Sequence, residues 1–158
     1  MMSNYLKILE ESLIKKNDIL DKLQMLSNEQ ADILNTVPMS LEEFDKRVED
    51  KDILVKELVK LDEGFDALYE NVKQELQGNK AQYAESIQKM KQQIQVIMDK
   101  SVAIQAQESR NKELLTAYFK KERQTVGENR RTAKSAYDYY KMVSNVSGMP
   151  PQFMDQKK

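Results

Sequence analysis

The chain of 158 residues contains no cysteine, no histidine and no tryptophan, and only 4 glycines and 3 prolines. Without cysteine there is no disulfide, no thiolate nucleophile and no zinc–sulfur site. Without histidine the commonest general base and metal ligand is missing, and the Glu-x-x-His pair of a di-iron bundle cannot form. Four scattered glycines supply neither G-x-G-x-x-G nor G-x-x-x-x-G-K-[ST], which removes those phosphate cradles. Apolar runs are only a few residues long, far short of the roughly 18 that a membrane-spanning helix needs. Most familiar enzyme classes are disfavoured at once. The expectation is a single all-α domain over residues 1–158 that is not an enzyme, uses no cofactor and works by binding.

What the chain does have is charge, 32% of its residues, with a net of only −1. That net is a cancellation. Residues 1–78 carry 10 Lys/Arg and 18 Asp/Glu, whereas residues 79–158 carry 15 and 8. Such polarity invites antiparallel docking of an acidic arm on a basic one, or separate acidic and basic partners. The opening Met1-Met2-Ser3-Asn4, with acidic residues close behind, is unlike a secretory signal, so a cytoplasmic location is expected.

Proline and glycine divide the chain into helical stretches. The first helix is predicted over about 3–35, ending before Thr36-Val37-Pro38, since proline lacks the N–H and its ring clashes with the preceding turn. Leu6, Leu9, Leu13, Leu20 and Leu23 recur at three- and four-residue steps, with Lys16 at a skipped slot, and Ile19, Leu26, Ile33 and Leu34 widen the face. The second helix is predicted over about 40–77. Ser40-Leu41-Glu42-Glu43 fits an S-x-x-E capping box, and Met39 is placed to staple onto Phe44. Leu41, Phe44, Val48, Val55, Leu58, Phe65, Tyr69, Val72 and Leu76 then keep near-heptad spacing. Two slots of that series hold Lys51 and Asp62. Either Leu54 and Leu61 take over as the stripe drifts, or the polar pair sets register against a partner helix. Gly64 lies within the stripe at a cost of about 1 kcal/mol against alanine, and Gly78-Asn79 supplies a stop.

The third helix is predicted over about 80–126, with Tyr83, Ile87, Met90, Ile94, Ile97 and Ile104 in register and Ser101 as a polar interruption. Beyond Ile104 the stripe thins. At 1.5 Å per residue the third helix outruns the second, roughly 68 Å against about 55 Å. Its overhang would expose Leu114, Leu115, Tyr118 and Phe119 as an interaction surface. A short amphipathic helix is predicted over about 129–146, with Ala133, Ala136, Tyr137, Tyr140 and Val143 on one face, followed by a tail over 147–158. Met25, Met90 and Met98 read as core filler. Met142, Met149 and Met154, beside Tyr137, Tyr139, Tyr140 and Phe153, suit an adhesive segment.

Competing readings are weak. Glu42, Glu43, Asp45, Glu49, Asp50 and Asp52 lack the glycine-turned loop of an EF-hand and read as a solvated acidic face, so no metal site is expected. The basic stretch from Arg110 to Lys134 holds its aromatics as the single adjacent pair Tyr118-Phe119 and not interleaved among the basic residues, and an acidic first half repels phosphate, so no nucleic-acid partner is expected. The polar face of the Tyr137 helix is not basic enough for a membrane surface. A structural coiled-coil homodimer remains the alternative to a binding protein.

In plan and in several local marks the chain resembles the flagellar export chaperones of the FlgN type. The marks are the leucine-rich first helix closed by a proline turn, the charged run Arg47-Val48-Glu49-Asp50-Lys51-Asp52-Ile53-Leu54 and the N-x-x-L-L of Asn111-Lys112-Glu113-Leu114-Leu115. The closing Ala136-Tyr137-Asp138-Tyr139-Tyr140-Lys141-Met142 and Gln152-Phe153-Met154-Asp155-Gln156-Lys157-Lys158 are similar to those of clostridial-type members. The resemblance implies a chaperone that binds the amphipathic helical end of hook-associated proteins, prevents early assembly and delivers them to export-gate components. It puts Asn111, Leu114 and Leu115 on or near the client-binding helix, where Tyr118 and Phe119 of the overhang are further partner-binding candidates, although Asn111 also fits a plain exposed polar residue. It makes Tyr137, Tyr139, Tyr140 and Met142 candidates for docking to the gate or for covering an empty groove.

Overall fold

A computed structural model of the chain describes residues 2–121 and 134–143. Three long helices, α1 (Met2–Leu34), α2 (Leu41–Gly78) and α3 (Ala84–Lys121), are joined by a short one, α4 (residues 134–143), in an all-α bundle. α1 lies close along both α2 and α3, whose backbones approach each other much less.

The three stripes that build the core follow an alternating three- and four-residue rhythm, as helix packing along a shared seam requires. Leu6, Leu9, Leu13, Leu20 and Leu23 of α1 meet Phe44, Val48, Val55, Leu58, Phe65, Tyr69, Val72 and Leu76 of α2, and Met90, Ile94, Ile97, Ile104 and Leu115 of α3, in one buried cluster. Of the slots without an apolar residue, Lys51 is inside the core, while Asp62 and Lys16 are partly buried. Lys51 is fully buried and keeps its place in the stripe, while Leu54 is only partly buried, so the stripe does not drift. Asp62 pairs with Lys16 at 2.8 Å, so the skipped slot of α1 and the skipped slot of α2 fill one another. The register-setting reading of the polar pair is the one that describes the molecule.

Local chemistry sets the helix ends. Asn35 Nδ2 and Thr36 Oγ1 donate to the carbonyls of Ala31 and Asp32, at 2.9 and 2.7 Å, and close α1. Ser40 Oγ accepts from Glu43 N–H at 3.1 Å and opens α2. The reciprocal arm of the capping box is not used, because the Glu43 carboxylate turns to Arg47 instead. α2 ends at Gly78 without a left-handed residue. Asn79 donates from its backbone to Leu76 O at 3.3 Å and from Nδ2 to Glu75 O at 2.9 Å.

Several expectations are corrected. α3 begins at Ala84 and not near Lys80, since residues 79–83 are spent on the turn. α2 and α3 are both 38 residues long, so no overhang of α3 exists among the described residues. α1 and α3 run in parallel, with Lys100 on Asp21 at 2.6 Å and Lys89 on Glu10 at 3.9 Å, whereas α2, the more acidic helix, runs antiparallel to both. Met25 is exposed, whereas Met90 is buried and Met98 partly so. Gly64 faces outward, away from the stripe. The expected helix ends at 126 and 146, and the tail over 147–158 with Met149, Phe153 and Met154, lie outside the described residues.

Candidate functional site

One end of the bundle holds a polar cluster inside the core. The α1 rhythm 20, 23, 27, 30 places Ser27 and Gln30 where leucines stood earlier, and the α3 rhythm 101, 104, 108, 111, 115 places Glu108 and Asn111 likewise. Lys51 of α2 enters between them. Its ammonium donates to Glu108 Oε1 at 2.7 Å and reaches Ser27 Oγ at 3.5 Å, while the Ser27 hydroxyl also donates to Glu108. Asn111 Nδ2 donates to the Ser27 carbonyl at 2.9 Å, and Asn111 Oδ1 accepts from Gln107 Nε2 at 2.8 Å. Gln30 Nε2 donates to Phe44 O at 3.3 Å. The Lys51 and Glu108 side chains are 0% and 4% exposed, which makes this a buried ion pair and not surface decoration. Burial pushes the Lys51 ammonium below its ordinary pKa, and Glu108 offsets part of that shift.

α4 closes the cluster from outside. Ala136, Tyr139 and Val143 are buried, and with Tyr140 they form the i, i+3, i+4, i+7 face of the helix. The Tyr139 ring sits over the Lys51 ammonium at 4.3 Å, with Tyr140 at 5.9 Å, and the two rings meet edge to face at 5.5 Å. A desolvated cation against an aromatic face is worth about 2 kcal/mol. The hydroxyl groups fit less well. Among the described residues, the Tyr139 and Tyr140 hydroxyls and Glu108 Oε2 are buried without a hydrogen-bond partner. The Tyr139 hydroxyl stands near Glu108 but outside hydrogen-bond geometry. Burial first, and the Glu108 charge second, push both phenols far above the usual tyrosine range.

The residues singled out by sequence are therefore divided. Asn111 is fully buried and serves the polar cluster, and Leu115 is in the apolar core. Leu114, 40% exposed, points away from both, while Tyr118 and Phe119 pack edge to face at 5.8 Å and are partly buried. The expected joint surface of these five is thus corrected: they do not form one exposed patch, because residues 111 and 115 continue the buried rhythm and residue 114 falls between its slots. Tyr139 and Tyr140 do come together, on Lys51. Met142 is partly buried beside the core, and Tyr137 is 60% exposed on the outer face of α4.

Lys51 aside, sequence reasoning missed the members of the cluster: Ser27, Gln30 and Glu108. The available signal was register, since each stands at a slot of an unbroken rhythm. Among the described residues, no group of acidic side chains is arranged to hold a metal ion, and no helix is long and apolar enough to cross a membrane. Comparison with protein-family models, with curated proteins and with solved structures finds no match to this chain.

Proposed function

We propose that this chain is a cytoplasmic flagellar export chaperone of the FlgN type. It binds the amphipathic helical end of hook-associated proteins, keeps them from assembling early and delivers them to export-gate components. The observation that carries this reading is α4. It is a short amphipathic helix laid on a three-helix bundle by a face of small, aromatic and aliphatic residues at i, i+3, i+4 and i+7, the pattern by which a groove accepts a partner helix. A client helix with the same pattern would occupy the same seat. Each of the two hydroxyls that are buried without a partner among the described residues costs α4 about 1–3 kcal/mol, which favours exchange for a better-fitting occupant. The chemistry is occlusion of an apolar surface, with no covalent step. The exposed Tyr137 remains on the outer side for a contact with the gate.

The test is calorimetric titration of the full chain with the C-terminal peptide of a hook-associated protein from the same genome. Binding at one to one, tightened in Val143→Asp and Tyr139→Ala because the seat is vacated, is the expected result. No binding by either form, together with a stable dimer in light scattering, would replace the chaperone by the coiled-coil alternative.

A further inference from the structure

The opposite end of the bundle carries a second feature, in the seam between the two loosely approaching helices. Tyr69 and Leu76 of α2 and Ile87 and Met90 of α3 line an open cavity of about 250 Å³ beside the 79–83 turn, with Lys80 and Lys91 among its walls. We propose that this cavity is a docking pocket for an acidic amphipathic helix of a partner protein, separate from the α4 seat.

The size decides what enters. Pockets for whole small molecules run to about 300–1,000 Å³, so this one takes a single bulky side chain as an anchor. Its lining includes no α1 residue. Ala84, the first residue of α3, leaves the wall uncovered because it carries only a methyl group. The apolar contact continues beyond the cavity. Met98 and Val102 follow Lys91 at steps of seven and four, hence on one face of α3, and Val102 is 66% exposed. From Lys91 to Val102 is roughly 16 Å at 1.5 Å per residue, a length matched by three turns of a partner helix.

Charge decides the class of partner. Lys80 and Lys91 have no ion-pair partner among the described residues. They open the part of the chain in which basic residues outnumber acidic ones, 15 to 8. Two unpaired cations beside an apolar hole select an occupant whose anchor is flanked by carboxylates and reject one flanked by lysines. Tyr69 lies 18 residues from Lys51, roughly 27 Å along α2, so this pocket and the α4 seat are distinct places. The inference stands independently of which helix displaces α4.

The probes are two synthetic 16-residue helical peptides with the same leucine stripe, one flanked by glutamates and one by lysines, followed by fluorescence anisotropy with the full chain. The glutamate peptide is expected to bind at least about tenfold tighter at low salt. The double variant Lys80→Glu/Lys91→Glu inverts the preference. Ala84→Trp, which fills the cavity, weakens the glutamate peptide about tenfold, and Ile14→Ser, at an exposed α1 position outside the cavity, leaves it unchanged. The proposal is overturned if the glutamate peptide fails to saturate, if both peptides bind alike, or if the charge reversal leaves the preference intact. It is equally overturned if Ala84→Trp leaves the affinity unmoved.

Discussion

Breaking the Lys51–Glu108 pair from one side should be far more harmful than replacing both partners. At 2.7 Å and an effective dielectric of about 20, the attraction is on the order of 6 kcal/mol, and most of it offsets the cost of removing two ions from water. Removing Glu108 leaves an ammonium with no exposed surface among Ser27, Tyr139 and Tyr140, a loss of about 3–5 kcal/mol. Removing Lys51 leaves a buried carboxylate held, among the described residues, by Ser27 alone, with a similar loss. Either loss is a large part of the roughly 5–15 kcal/mol that holds a domain together. Lys51→Met with Glu108→Leu leaves no charge behind, so the double variant should lie within about 2 kcal/mol of the parent. Urea unfolding followed by circular dichroism at 222 nm, run as a double-mutant cycle, gives the coupling directly. The expected value is about 3 kcal/mol or more. Single variants costing under about 1 kcal/mol each, and adding in the double, would refute the argument. Hydrogen exchange gives a second readout, since Lys51→Met removes the cation under Tyr139 and should raise exchange across residues 134–143 first.

Other expectations follow from neighbouring features. Tyr139→Phe and Tyr140→Phe keep the rings over Lys51 but delete unpartnered hydroxyls, and each should raise stability by about 1 kcal/mol in the same urea experiment. Because both phenols have raised folded pKa values, their share of stability is present below the unfolded value near pH 10 and is lost above it. The loss is about 1.4 kcal/mol per pH unit per tyrosine, and the double Phe variant should flatten that alkaline limb. A methyl group added at Gly64 meets nothing within 4 Å, so Gly64→Ala should raise the unfolding midpoint by about 1 kcal/mol equivalent. Ser40→Ala removes the acceptor for Glu43 N–H and should cost about 1 kcal/mol in thermal unfolding.

The helices, the Ser40 cap and the proline stop were legible because they depend on local spacing and on backbone donors near in sequence. The polar cluster was half legible. Lys51 and Asp62 announce themselves as interruptions of an apolar series, and their partners do not. Glu108 looks like any glutamate on a charged helix, and only its place in the rhythm 101, 104, 108, 111 puts it inside. A hydropathy reading discards that slot, and with it the reason the α3 stripe continues to Leu115. Leu114 misled for the converse reason, being apolar and off register. Partner identity across 57 residues, as for Lys51 and Glu108, is a property of how α2 and α3 are set against each other. A slip of one heptad would put Lys51 opposite Ser101 or Leu115, with no carboxylate in reach, so the pair defines the register that local spacing leaves open.

Lys51 also gives the molecule an internal clock. An amine with no exposed surface, roofed by a tyrosine ring, is silent toward acylating reagents while α4 is seated. Once α4 lifts, that same amine meets reagent. Lys56, on the surface of the same helix with a 66% exposed side chain, is always open and supplies the reference rate. The ratio of acetylation at Lys51 to that at Lys56, read by mass spectrometry, therefore reports the fraction of time the seat stands vacant. It does so in the unaltered chain, with no dye, and for whichever helix competes for the place.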